Sequence, residues 1–288
     1  MLRKRLGAAD LTIPEIGLGT WQYLGGVQAL RKGIDLGANF IDTAEAYGTE
    51  NLVGEVIRDI RKQVFLATKV SPWHFRHKDL FKAVDRSLQA LKTDYIDLYQ
   101  LHWPNSTIPI EETMGAMEEL VNQGKIRFIG VSNFSVAELQ RAQAALHRSR
   151  IVSNQVRYNL VDRSAEVGLL GYCQENKTTL IAYSPLARGM HAIRKNDLVG
   201  ILGRLASETG KTEAQVALNW CIARDSVVAI PKSDSPEHVE ENCGASDWRL
   251  TPDQFALLDK EIRYRQRGRV EAVLRRLARN TLQRLGRV

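Results

Sequence analysis

The stretch GLGTWQ, residues 17–22, decides between two folds. Two glycines in a GxG spacing follow a short apolar run, as at the phosphate-binding turn of an open Rossmann sheet. That turn needs a third glycine at its sixth position, where the helix packs closely on the strand. Gln22 stands there instead. A lone GxG is a weak signal, so the segments downstream carry the decision. Short apolar runs at 15–19, 39–42, 64–68, 96–100, 127–131, 151–155, 179–183 and 227–230 read as strands. They alternate with stretches of helical period over 27–37, 50–60, 78–92, 110–123, 135–147, 165–175, 197–223 (two helices) and 235–242. Ser135 with Glu138 three residues on is a capping box, and Gly37 and Gly124 stand where a helix ends. Eight strand–helix units with right-handed crossovers close a (β/α)8 TIM barrel. A hairpin formed by LRKRL (2–6) and LTI (11–13) precedes it.

The chain has 288 residues, 44% of them apolar and 25% charged, which suits one large domain with a substantial core. Cys173, Cys221 and Cys243 form no close pair, so no disulfide framework and a reducing cytoplasm are expected. The start, MLRKRLGAAD, lacks the apolar region of a secretory signal, and no apolar run reaches the ~20 residues of a membrane-spanning helix. The formal net charge of +7 is concentrated at one end. Residues 263–288 hold nine arginines and one acid, Glu271, leaving 31 basic and 32 acidic residues in 1–262. A nearly neutral barrel over 1–262 and an arginine-rich tail over 263–288 are therefore expected. That balance argues against a nucleic-acid-binding face on the barrel.

In a barrel of this kind, chemistry sits at the C-terminal ends of the strands. The second strand runs into FIDTAEAYG (40–48), presenting Asp42 and then Tyr47; the third ends at Lys69; the fourth ends in LHWP (101–104), presenting His102. Taken singly, each has a bland reading: a turn cap, a surface tyrosine, a solvated lysine, a satisfied strand-end histidine. Together they form an acid–base unit. A phenol is a poor proton donor near neutral pH, and an adjacent ammonium lowers its pKa. A buried lysine needs a counter-charge, which Asp42 supplies. A neutral imidazole can hold a carbonyl oxygen without adding net charge. There is no GxSxG and no cysteine beside a histidine, so the unit donates a proton while an electron pair comes from elsewhere, most naturally a hydride cofactor.

These motifs, together with GLGTW (17–21), ATK (67–69), GKIRFIGVSNFS (124–135), NQVRYN (154–159), AYSPLARG (182–189) and IPKS (230–233), resemble the aldo-keto reductases over residues 5–262. The resemblance implies the (β/α)8 barrel and NADPH-dependent reduction of aldehydes and ketones. It implies Tyr47 as general acid, Lys69 and Asp42 tuning it, and His102 orienting the carbonyl. It also implies a cofactor groove. The nicotinamide would stack on Tyr183, with its carboxamide held by Ser132, Asn133 and Gln155, and Thr20, Trp21 and Asp42 beside it. Ser184, Leu186 and Arg188 would follow the pyrophosphate, although Arg188 also reads as a solvated loop arginine. Ile230, Lys232 and Ser233 would take the 2′-phosphate end, and Glu241 and Asn242 the adenine. His238 departs from the arginine many NADPH-preferring members carry there. Arginine is always charged and bidentate, whereas neutral histidine is neither. Asp234 adds a negative charge nearby. NADPH is expected, with NADH as a second candidate and a preference that rises as His238 protonates.

Trp21, Tyr23, Trp73 and Trp103 follow strand ends and can wall a substrate pocket, with Trp21, Trp73 and Trp103 as the assigned set. Short loops over 102–109 and 187–196 imply an open site tolerant of small aldehydes and ketones. His74 and His77 lack nearby carboxylate or cysteine partners in sequence, so they read as solvated histidines and no metal is expected. The tail over 269–288 has the pattern of a basic amphipathic helix. It fits either a helix docked on the barrel or one that meets an anionic membrane or an acidic partner. Two function classes follow: a carbonyl reductase, and a nucleotide-binding redox-sensing regulatory subunit acting through that tail.

Overall fold

The computed structural model describes residues 1–266. The expected helix over 269–288 lies outside the described residues. Ten strands occur in the described chain: β1 (Arg3–Arg5), β2 (Thr12–Pro14), β3 (Leu18–Gly19), β4 (Phe40–Asp42), β5 (Phe65–Val70), β6 (Ile96–Leu101), β7 (Ile126–Ser132), β8 (Ile151–Arg157), β9 (Thr179–Tyr183) and β10 (Val227–Ile230). The helices are α1 (Val27–Asp35), α2 (Glu50–Ile57), α3 (His77–Leu91), α4 (Ile110–Asn122), α5 (Val136–Ala144), α6 (Leu169–Glu175), α7 (Met190–Asn196), α8 (Ile201–Thr209), α9 (Glu213–Ile222), α10 (Pro236–Cys243) and α11 (Pro252–Glu261). Strands β3 to β10 form one sheet in chain order, every pair parallel. The sheet closes where Ile16 bridges Ala229 and the Gly19 amide donates to the Pro231 carbonyl at 3.0 Å. This is the (β/α)8 barrel.

Closure explains the glycines of GLGTWQ. A Cβ on Gly19 would stand 2.7 Å from the Ile230 carbonyl oxygen, and one on Gly17 would stand 2.7 Å from the Phe40 ring. Both glycines let β3 approach its neighbours at the seam, so the pattern that mimics a phosphate turn is a packing requirement.

The antiparallel hairpin β1–β2 buries Leu6 and Ile13 with Phe40, Phe65, Leu98, Val152 and Val228. Lys4 fixes the same end. Its ammonium donates to the carbonyls of Arg224 at 2.8 Å, Val227 at 2.9 Å and Ile222, and lies 3.9 Å from the fully buried Glu15. Replacing Lys4 by methionine strands these acceptors. A loss of about 2–3 kcal/mol is expected, read as a lower denaturant midpoint at unchanged m-value.

Helix start and stop chemistry agrees with the sequence at α5, where Ser135 and Glu138 form the reciprocal capping box. Gly37 and Gly124 both take positive φ at helix ends. Two helices escape the periodic pattern. Helix α7 falls in the stretch expected to be a short loop; it has seven residues and buries only Ile193, too little for a readable stripe. Helix α11 buries only Leu258 but is capped by Thr251 with Gln254, with Pro252 at its start. Just beyond α11, the Arg263 and Arg265 amides donate to the Asn196 and Val161 carbonyls, each at 3.0 Å. All three cysteines are buried, and burial pushes each thiol up to about 12. Among the described residues no helix is long and apolar enough to cross a membrane.

Candidate active site

Strand alternation brings four separate chain segments to one point on the C-terminal rim. On β5, Lys69 is wholly buried and pairs in register with Gln100 on β6. Gly130 on the next strand leaves room: a Cβ there would be 2.9 Å from Gln100 Cγ. The Lys69 ammonium donates to Asp42 Oδ2 at 2.5 Å and to the Thr43 carbonyl at 2.8 Å. Asp42, 2% exposed, also accepts from Gln155 Nε2 at 2.7 Å and Gln100 Nε2 at 3.1 Å. Both oxygens of this buried carboxylate thus accept from donors, two on Oδ1 and Lys69 on Oδ2, and such added hydrogen bonds help a buried ion pair hold.

Tyr47 rides on a short 3₁₀ turn, Glu45–Tyr47, that follows β4. Its ring lies beneath the Lys69 ammonium, 4.7 Å from nitrogen to centroid, and its hydroxyl stands 3.5 Å from His102 Nε2. Glu45 pins the turn to the next loop by accepting from the Ser71 amide at 2.5 Å and from His74 Nδ1 at 2.9 Å. His77 likewise meets Glu119 at 2.8 Å. The two histidines therefore have carboxylate partners after all, supplied by segments remote in sequence. Each goes to a different glutamate.

The electrostatics correct one expectation. Burial pushes the Tyr47 phenol up; Lys69 pulls it down, but the net displacement is above the ordinary tyrosine value. Burial pushes the Lys69 ammonium down, and the charges and hydrogen bonds of Asp42 and Tyr47 outweigh it, leaving it above the usual lysine range. Lys69 therefore stays charged and Tyr47 keeps its proton at neutral pH. Burial, with Lys69 adding to it, lowers His102 to about 3, so its imidazole is neutral. A histidine depressed in the folded state stabilises the fold fully above pH ~6.5, and that stabilisation is lost as pH falls towards 3. Replacing His102 by glutamine is expected to flatten the fall in stability between those limits, measured by denaturant unfolding across pH.

Most of the expected cofactor residues lie at or just after the C-terminal ends of β7 to β10. The Tyr183 hydroxyl donates to Asn133 Oδ1 at 3.0 Å, and Asn133 Nδ2 donates to the His102 carbonyl at 3.2 Å and to Ser132 Oγ at 2.9 Å. Ser132 donates in turn to the Gln155 carbonyl at 2.8 Å. After β9 the backbone takes positive φ at Ser184, Ala187, Arg188 and Gly189, a concentration of strain typical of functional loops. The loop it builds lays the exposed Arg188 guanidinium over the Trp21 ring at 4.7 Å. At the far end Ser233 and Asn242 line a cavity of about 10 Å³ with Gly19, Pro231 and Val239. Lys232 pairs with Asp234, while His238 and Glu241 lie on α10, whose first turn is capped by Ser235.

Some expected contacts look inward instead. Thr20 is fully buried and its hydroxyl donates to the Asp42 carbonyl at 3.0 Å, and Ile230 belongs to the core. Tyr23 is 5% exposed and its hydroxyl is taken by the Gly26 carbonyl, so it is not a pocket wall. Trp21, Trp73 and Trp103 are the exposed aromatics of this rim, at 39%, 55% and 37%. Gln100 was missed by sequence reasoning. The signal was present: it lies two residues before His102 in YQLH, on the same face of the strand.

Fold and site together describe a barrel oxidoreductase. The chain belongs to the Aldo/keto reductase family, which it matches over residues 15–263. It is 40% identical over 267 residues to the methylglyoxal reductase YeaE of Escherichia coli K12, covering 88% of this chain and 92% of that protein. A second methylglyoxal reductase of that organism, DkgA, is 33% identical over 254 residues, covering 86% of this chain and 89% of its own length. Among solved structures, an aldo/keto reductase from Klebsiella pneumoniae in complex with NADP and acetate superposes with a TM-score of 0.84. It is 41% identical, covering 92% of this chain and 96% of that one.

Proposed function

We propose that the protein reduces small aldehydes and ketones, methylglyoxal among them, with Tyr47 as the proton donor and NADPH as the reductant. The observation that carries this reading is the juxtaposition of a protonated Tyr47 and a neutral His102 over the buried Lys69–Asp42 pair. The residues at the ends of β7 to β10 suit a nicotinamide dinucleotide in their donor set. They offer an aromatic ring at Tyr183, amides at Asn133 and Gln155, a guanidinium at Arg188, and an ammonium with a hydroxyl at Lys232 and Ser233. When bound, NADPH supplies the hydride. His102 Nε2 and the Tyr47 hydroxyl converge on one point, where they can hold a carbonyl oxygen between them. As that oxygen gains negative charge, Tyr47 releases its proton to it. The fixed Lys69 charge beneath the ring favours the phenolate left behind. Trp21, Trp73 and Trp103 give the approach apolar faces and few hydrogen-bonding groups, consistent with small carbonyl substrates.

The relatives named above are reductases, so the regulatory-subunit reading gains no support from them. NADPH oxidation in the presence of methylglyoxal and 4-nitrobenzaldehyde tests the proposal. Turnover with both is expected; tight nucleotide binding without turnover would contradict it.

A further inference from the structure

Asp234 lies between the loop at Leu24–Gly25 and Lys232. Its Oδ1 accepts from the backbone amides of Leu24 at 2.9 Å and Gly25 at 3.2 Å, while its Oδ2 takes the Lys232 ammonium. The contact with the loop is close because Gly25 has no side chain: a Cβ there would stand 2.5 Å from the Asp234 carbonyl oxygen and from the Tyr23 hydroxyl. The carboxylate is therefore held in place by the backbone whether or not Lys232 stays with it. Although burial raises it, the hydrogen bonds from Lys232 and the two amides hold its carboxyl below the ordinary aspartate value, so it is charged at neutral pH. Lys232 and Asp234 are 31% and 40% exposed, so the pair itself contributes little to stability. Its effect falls on whatever else seeks Lys232.

We propose that Asp234 sets the discrimination between NADPH and NADH by holding a fixed negative charge against the 2′-phosphate and occupying the ammonium that would receive it. The inference rests on the proposed function and on the resemblance that puts Lys232 and Ser233 at that phosphate. NADPH must draw Lys232 away from Asp234 and seat a phosphate of nearly two negative charges beside the carboxylate. NADH brings only hydroxyls and meets neither cost. The same carboxylate anchors the loop at Leu24 and Gly25, next to Trp21.

Asp234→Asn separates the two roles. The amide oxygen still accepts from Leu24 and Gly25, the size is unchanged, and the charge is gone. Titration of tryptophan fluorescence with each nucleotide, without substrate, is expected to show NADPH affinity rising about tenfold and NADH affinity changing less than twofold. The gain is expected to shrink as salt is added. Asp234→Ala, which also removes the loop anchor, is expected to keep the NADPH-selective gain. Equal shifts for both nucleotides, or no shift in either, overturn the inference while leaving the reductase reading intact. Wild-type protein that binds neither nucleotide overturns both.

Discussion

Tyr47→Phe is expected to lower kcat for aldehyde reduction by about 10³-fold, with NADPH affinity within about twofold of wild type. Phenylalanine keeps the ring that packs beneath the Lys69 ammonium, 4.7 Å from its centroid, and removes only the hydroxyl facing His102. Burial outweighs the pull of the neighbouring Lys69 cation and keeps the Tyr47 phenol protonated, while in the proposed mechanism that cation favours the phenolate formed during reaction. Among the described residues His102 is neutral and Lys69 is locked onto Asp42 and the Thr43 carbonyl, so neither replaces it as an acid. Steady-state kinetics together with a nucleotide titration check the expectation. A variant that keeps most of its kcat would move the proton donor elsewhere.

The second large effect concerns the buried pair. Lys69→Met removes the cation from a fully buried ammonium–carboxylate contact of 2.5 Å and leaves Asp42 with only the two amide donors of Gln100 and Gln155. Breaking a buried pair on one side typically costs about 3–5 kcal/mol, and the surviving amides put this case near 3. Activity is expected to fall by about 10²–10³-fold as the phenolate loses its stabilising charge. The double variant Asp42→Asn, Lys69→Met separates the effects. It removes the stranded charge, so roughly 2 kcal/mol of the stability loss is expected to return while activity stays low. Denaturant unfolding beside kinetics reads both. Activity returning with stability would mean that Lys69 serves the fold alone.

How far the sequence could be read depended on the kind of signal. Barrel strands were legible because inward and outward residues are both buried, so each appears as a short apolar run ended by a turn; β9 and β10 carry the expected limits unchanged. Asp42, Tyr47, Lys69 and His102 were legible as polar groups following such runs. Helices α7 and α11 were not, since each buries one residue and is held by caps and neighbouring loops. Partners remote in sequence were hidden for the same reason. Nothing local in WHFRH announces that His74 meets Glu45 or that His77 meets Glu119. The direction of the Tyr47 displacement depends on how deeply the ring is buried, which only packing sets.

The most direct measurement is a turnover of wild-type protein with methylglyoxal and NADPH carrying deuterium at both nicotinamide C4 positions, with the product examined by mass spectrometry and NMR. The expected product is an alcohol with one deuterium on the new carbinol carbon for each NADPH consumed, its hydroxyl proton drawn from solvent. An alcohol without deuterium, or no alcohol at saturating nucleotide, would contradict the assignment of this site to carbonyl reduction.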